Sequence, residues 1–285
     1  MDGDDVRMSI YTINEPNNNN NQISFEMHSA LEQFNEHRNT LKMTTGSADL
    51  DSLIDGIQEG LFYLFYGNNN YAVQDSLVYR FLVKCVLPIK QKHGFESMGV
   101  CFNNADYYNS RKTSLSPEKL GVAAKCASID PKIVFKNLYI HTAYNEQQQL
   151  LVAEQVADLI ESNKDIKLLV ANRLTRFFKE SKKKMETANV LKQVVGIVCK
   201  ACAKNKVALV CTGDSNLTSK GVIPRPIGGI YLKHAANVIV HIKEYPNSTA
   251  AIPSFKATLV KHQYTKTPKS AVLYLRKCGG MTLLD

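Results

Sequence analysis

Residues 61–76, LFYLFYGNNNYAVQDS, hold the spacing in this chain that could do phosphate chemistry. An apolar run enters Gly67, a short polar stretch follows, and a helical pattern opens at Gln74. A phosphate-binding loop on this strand–loop–helix layout needs G-x-x-x-x-G-K-[ST]. The second glycine lets backbone N–H groups close on the phosphates, the lysine neutralises them, and the hydroxyl holds Mg²⁺. Counting from Gly67, those three places hold Ala72, Val73 and Gln74, and no Gly-Lys dipeptide occurs anywhere in the chain. The layout is that of a nucleotide loop while its charged groups are absent. An ordinary βα turn has the same layout.

Any such site needs an α/β core to position it, and the composition allows one. With 285 residues and 44% hydrophobic content, the chain can bury one large core or two small ones. No run of 18 apolar residues occurs; the richest stretch, 194–212, is broken by Lys200, Lys204 and Lys206, so no membrane protein is expected. The start, MDGDDVRMSI, is acidic where a secretory leader would be basic, and no leader is expected. Seven cysteines is an odd count, Cys85, Cys101 and Cys211 lie within apolar runs, and a chain of this size needs no disulfides. This reads as a reducing, intracellular compartment. Cys199 and Cys202 form a lone CxxC on a helical pattern, where burial as small apolar residues is a plainer account than zinc or redox chemistry. The net charge of +9 hides an asymmetry: residues 1–60 hold 11 acids and 3 bases, residues 173–285 hold 20 bases and 5 acids. The second half is therefore suited to a polyanion, although a solvated lysine-rich surface has the same composition.

Taken in order, residues 1–22, ending in EPNNNNNQ, read as a disordered acidic and Asn-rich tail. Residues 23–42 read as a linker helix, with Phe25, Met27, Ala30, Leu31 and Phe34 at amphipathic spacing. From 43 to 285 the pattern is that of one core domain. Thr45-Gly46-Ser47 and an Asp49 cap introduce Leu50, Leu53 and Ile54 at helical spacing. Apolar strands are expected at 61–66, 98–102, 137–141, 166–171 and 207–212, with helices near 75–92, 116–127, 146–163 and 187–204. Near-continuous apolar strands imply a mostly parallel sheet covered on both faces. After residue 228, NVIVHI, FKATLV and AVLYLR read as antiparallel strands added at one edge.

Several segments together resemble the RecA-like core of the archaeal RadA and eukaryotic strand-exchange recombinases. They are TTGSADLDSLIDGI, SIDPKIVFKNLYIHTAYNEQQQLLVAEQVADLI, IKLLVANRLTRFF, VALVCTGD and RPIGGIYLKHAANVIV, in the family's order over residues 43–243. The resemblance implies a three-layer α/β/α core with a central, mostly parallel sheet and an antiparallel C-terminal edge. No counterpart of the family's N-terminal helical DNA-binding domain is expected from residues 1–42. The departures fall on the chemistry. Ala72, Val73 and Gln74 stand opposite the family's phosphate-loop Gly, Lys and Thr, and Ala105, beside Asn103 and Asn104, stands opposite its water-activating carboxylate. Asn172 stands opposite its Mg²⁺-ordering Asp, and Gly213 and Asp214 opposite its phosphate-sensing Asn-Gln. Lys261, His262 and Gln263 stand opposite its Asp-x-Pro cap. A degenerate site of this kind, entered by Gly67, is expected to bind no ATP or Mg²⁺, to hold no other metal and to carry no catalytic residue.

The resemblance also places two DNA-facing loops. The first is FFKESKKKMETAN, with Lys179, Lys182, Lys183 and Lys184; the second is 214–226, with Asn216, Lys220 and Arg225. Four lysines in six residues neutralise phosphates of any sequence, and a solvated helix start is the alternative. No aromatic residue interleaves them, so base stacking is not indicated. Met27 to Ala30 falls on the family's Phe-x-x-Ala subunit-linking motif, with Phe25 two residues earlier; a self-packed helix accounts for it equally. The expected function is that of a non-catalytic recombinase paralog that binds DNA, single-stranded in the first instance, without ATP. Expected partners are DNA, a RadA-like recombinase and further copies of the chain, in the cytoplasm of an archaeal source or the nucleus of a eukaryotic one. The alternative is an interaction module that docks on, or caps, the active recombinase filament through residues 23–38 without touching DNA.

Overall fold

The structure, a computed structural model, describes residue 29 and residues 40–67, 71–105, 115–181, 184–216, 222–245, 253–278 and 281–284. The chain divides into Met1–Asn39 and Thr40–Asp285. The tail 1–22 and Phe25, Met27 and Ala30 of the expected linker helix lie outside the described residues. In order, the elements are β1 (Lys42–Met43), α1 (Ala48–Ile54), β2 (Ile57–Gln58), β3 (Phe62–Gly67), α2 (Tyr71–Val86), α3 (Ile89–Lys92), β4 (Met98–Asn104), α4 (Pro117–Cys126), α5 (Pro131–Lys136), β5 (Leu138–Ala143), α6 (Glu146–Ser162), β6 (Ile166–Asn172), α7 (Arg176–Glu180), α8 (Lys184–Lys204), β7 (Ala208–Asp214), α9 (Gly229–Ala235), β8 (Val238–Glu244), β9 (Ser254–Lys261), β10 (Lys269–Cys278) and β11 (Met281–Leu284).

Alternate residues of β3 serve different cores, because successive strand side chains point to opposite faces. Tyr63 and Phe65 join α1, α2 and α4 on one side. Phe62, Leu64 and Tyr66 join α6 and α8 on the other. The result is the expected three-layer α/β/α core. Its nine-stranded sheet has the order β11-β10-β9-β8-β3-β7-β6-β4-β5. Strands β8, β3, β7, β6, β4 and β5 run parallel, and β9, β10 and β11 extend the sheet antiparallel. NVIVHI departs from expectation: β8 pairs parallel with β3. The helix α9 supplies the crossover that returns the chain to the same starting edge, which spacing alone did not reveal.

Local chemistry sets several helix ends. Ser116, Asp130 and Asn145 cap α4, α5 and α6 through their side-chain oxygens, with proline opening α4 and α5. The helix expected over 75–92 is two, parted at Leu87-Pro88, because the residue before proline is disfavoured in the helical region. Asp49 is not the cap of α1; Ser47 holds that place without a side-chain bond. Asp51 instead accepts from Thr45 N at 2.7 Å and from the Thr44 hydroxyl. Gly46 has φ +81°, and a Cβ there would lie 2.6 Å from Arg80 Nε. The Arg80 guanidinium uses that space to bind the carbonyls of Thr45 and Gly46, pinning this segment to α2.

Two cysteines overturn the expectation that none is bridged. Cys126, the last residue of α4, is bonded to Cys278, the last residue of β10, across 152 residues of sequence. Only the tertiary fold brings such distant positions together. The other five are free thiols, and burial pushes Cys199 of the CxxC up to about 12, away from thiolate chemistry. No helix among the described residues is long and apolar enough to cross a membrane.

His241 on β8 is 6% exposed, with its ring 5.1 Å from that of Tyr66. Burial, reinforced by Lys243, pushes its imidazole from 6.5 down to about 4. The unfolded chain takes up this proton below pH 6.5 and the folded chain resists it, so the stability it supplies is complete above that pH and falls as the pH drops toward 4. We expect a loss of about 1–3 kcal/mol across this window. Urea unfolding should show it, and His241→Phe should flatten that part of the profile; a variant with the wild-type slope would refute the assignment.

Candidate functional site

Strands β3, β7, β6 and β4 end side by side, with Gly67 opposite Asp214 and Asn103 opposite Asn172. Open α/β sheets bind ligands at such carboxyl ends. The fold brings Gly67, Gln74, Ala105 and Asn172 to this end. Ala72 is exposed, whereas Val73 is fully buried in the core beneath α2. Residues 68–70 of the connecting loop lie outside the described residues.

Amides and one hydroxyl fill the strand ends. Gln74 Nε2 donates to Gly213 O at 2.9 Å. Thr212 Oγ1 donates to Asn172 Oδ1 at 2.8 Å, and Asn172 Nδ2 donates to Asn103 Oδ1 at 3.1 Å. Asn104 Nδ2 donates to Asn172 O at 2.8 Å, and Gln149 Nε2 reaches both Asn104 Oδ1 and Leu174 O. All six residues are at most 2% exposed. An amide carries both donors and an acceptor, so these side chains satisfy one another without a ligand; an ionised carboxylate can only accept.

Two of the nearby cations are held by carboxylates. Arg173, in the left-handed region at φ 53°, places Nη2 3.0 and 2.9 Å from the two Asp75 oxygens. Burial pushes the Asp75 carboxyl up, and the guanidinium pulls it part of the way back. Lys179 Nζ lies 2.8 Å from Asp214 Oδ1, and Asp214 N donates to Thr175 Oγ1 at 2.9 Å. Spacing alone missed Gln149, Thr212 and the Arg173–Asp75 pair, which come from separate elements. Its one signal was polar residues closing apolar runs, as in CFNN and LLVAN.

Of the lysines placed toward DNA, Lys179 therefore already holds a carboxylate. Lys184 opens α8, its side chain undescribed, while Lys182, Lys183 and Lys220 lie outside the described residues. Asn216 and Arg225 are exposed and join the two arms of the second segment, Asn216 N donating to Arg225 O at 2.9 Å. Ile227 N donates to Asp214 O at 2.8 Å and closes the neck below them. Lys261 plays a structural part, since its ammonium binds the carbonyls of Lys233, His234 and Ala236 at the end of α9. His262 Nδ1 accepts from Tyr264 N and Thr265 N, and Gln263 is exposed.

The amide network makes a specific stability prediction. Asn172→Leu, close in shape, strips partners from Thr212 and Asn103 in a dry interior and should cost about 2–4 kcal/mol. Ala72→Lys, on the exposed loop side, should change stability by less than about 0.5 kcal/mol. Equal denaturant midpoints for the two variants would refute the network's role.

Comparison with known proteins extends this geometry to a lineage. A Rad51 family model matches residues 36–250. The "DNA repair and recombination protein RadA" of Methanococcus maripaludis is 26% identical over 226 residues, covering 73% of this chain and 67% of that protein. The protein of that name from Ignicoccus hospitalis is 28% identical over 220 residues, covering 73% and 65%. That from Methanococcus voltae is 26% identical over 153 residues, covering 53% and 48%. The chain thus spans at most about two thirds of the length of these relatives. With the family model covering most of the chain, and the three-layer core and its parallel strand ends in place, the chain belongs to the Rad51 family.

Proposed function

We propose that this chain is a non-catalytic Rad51-family paralog that binds DNA, single-stranded in preference, without ATP, and assists an active recombinase in homologous recombination and repair. The observation that carries the reading is the closed amide network at the strand ends, where Gln74 and Asn172 commit their polar atoms to Gly213, Thr212 and Asn103. Phosphoryl transfer is catalysed by positioning and charge neutralisation. Losing one electrostatic contributor costs roughly 10²–10³ in rate. Here Val73, Gln74, Ala105 and Asn172 occupy the places where the family resemblance expects lysine, threonine and two carboxylates. The relatives' names support the process, and the excess of 20 bases over 5 acids in residues 173–285 supports a polyanion as partner.

A second reading, a protein-interaction module that docks on the active recombinase through residues 23–38, is favoured by the β5 edge. Among the described residues β5 pairs with β4 alone, leaving Tyr139 and Ile140 39% and 40% exposed on an open strand.

Titrating the chain with labelled single-stranded DNA across salt should give steeply salt-dependent binding that ATP and Mg²⁺ leave unchanged. Changing Lys182, Lys183 and Lys184 together to Glu should abolish it, and undiminished affinity in that variant would remove the segment from the account. Calorimetry should find no heat with ATP and Mg²⁺; tight nucleotide binding would overturn the non-catalytic reading. Loss of recombinase co-purification on truncation before residue 40, with DNA binding absent throughout, would favour the second reading.

A further inference from the structure

Neither basic segment contains an aromatic residue among its cations, but the fold sets one against a lysine of α8. Tyr231 lies in the first turn of α9 and is 52% exposed. The ammonium of Lys192 sits 4.8 Å from its ring centroid. Lys192 lies on α8 eight residues after Lys184, the residue that opens that helix. The start of α9 is fixed at the carboxyl end of the sheet: a Cβ on Gly228 would meet Leu191 of α8 at 3.1 Å and Thr175 at 3.5 Å. Thr175 is the residue whose hydroxyl holds Asp214 N.

The exposed residues of α8, α9 and the segment that leads into α9 mix apolar side chains with cations. Val222 and Ile230 are each 63% exposed, and Lys192 on α8, Lys233 on α9 and Arg225 on the segment before α9 are exposed as well. Over α8 and α9, Glu186 is the one carboxylate. An apolar patch alone suits a protein partner. Cations set through it, with so little opposing charge, suit a polyanion that also offers flat apolar faces. Unpaired bases on a phosphate backbone have both properties. A duplex keeps its bases stacked on one another and offers phosphates and base edges but no base face.

We propose that Tyr231 is a stacking platform for an unpaired base of a single-stranded nucleic acid, with Lys192 and Arg225 contacting the flanking phosphates. This rests on the DNA-binding reading above and adds the source of its strand preference. Stacking on an aromatic side chain tolerates any base and is worth about tenfold in affinity per base. Lys192 covers part of the ring, and a base covers what remains in water.

The test is anisotropy of the full chain with a labelled oligothymidylate and with a duplex of equal length, each across salt. Tyr231→Ala and Tyr231→Leu should both weaken oligothymidylate binding about tenfold and leave duplex binding and its salt slope alone. Tyr231→Phe should bind as wild type. Lys192→Gln should lower the salt slope by about one. Leucine preserves apolar bulk without a π-face, so wild-type affinity in Tyr231→Leu would overturn stacking while leaving phosphate binding standing and the patch to a protein partner. If the wild-type chain binds neither probe, both this inference and the DNA-binding reading fail.

Discussion

The contact on which the site depends is the meeting of Thr212 and Asn172 across adjacent strand ends. One hydroxyl joins two elements: it accepts from Arg173 N and donates to Asn172 Oδ1, each at 2.8 Å. Through Asn172 the bonding continues to Asn103 and Asn104, and through Gln149 to α6. In a dry interior a half-satisfied network is worse than an apolar one, so these residues constrain each other as a set. Gln74 then fastens the start of α2 to the last residues of β7.

That closure lies where parallel sheets present ligands, and it changes what the surrounding charges are for. Arg173 and Lys179, which a free phosphate would attract, are held by Asp75 and Asp214. A buried or half-buried ion pair of this kind is costly to split, because separating it leaves an uncompensated charge. More accessible cations stand at Lys192, Arg225 and Lys233, on α8, on α9 and on the segment before α9. Two cations at the strand ends are thus held by carboxylates, while those on α8 and α9 lie exposed.

Much of this architecture was readable along the chain. The runs at 61–66, 98–102 and 166–171 gave away strands because a sheet covered on both faces demands continuous apolar residues. Strand direction was harder: NVIVHI has the composition of any strand, and only the short helix α9 before it makes it parallel. The Cys126–Cys278 bond joins two places with no local signature of each other. At the site, the missing lysine was evident from Gly67 and the residues that follow it, but the partners that satisfy Asn172 arrive from β4 and β7. Tyr231 was passed over for the same reason, since its proximity to Lys192 is a property of packed helices and not of spacing.

Lys261 gives the antiparallel extension a purpose beyond covering the parallel strands. A cation at a helix carboxyl terminus offsets the negative end of the peptide dipole and occupies carbonyls that otherwise lack partners. Here the lysine belongs to β9 and the helix is α9, whose opposite end bears the exposed tyrosine. The antiparallel extension thereby acts as a rivet on α9. A substitution that removes Lys261 from β9 would loosen α9 from its carboxyl end.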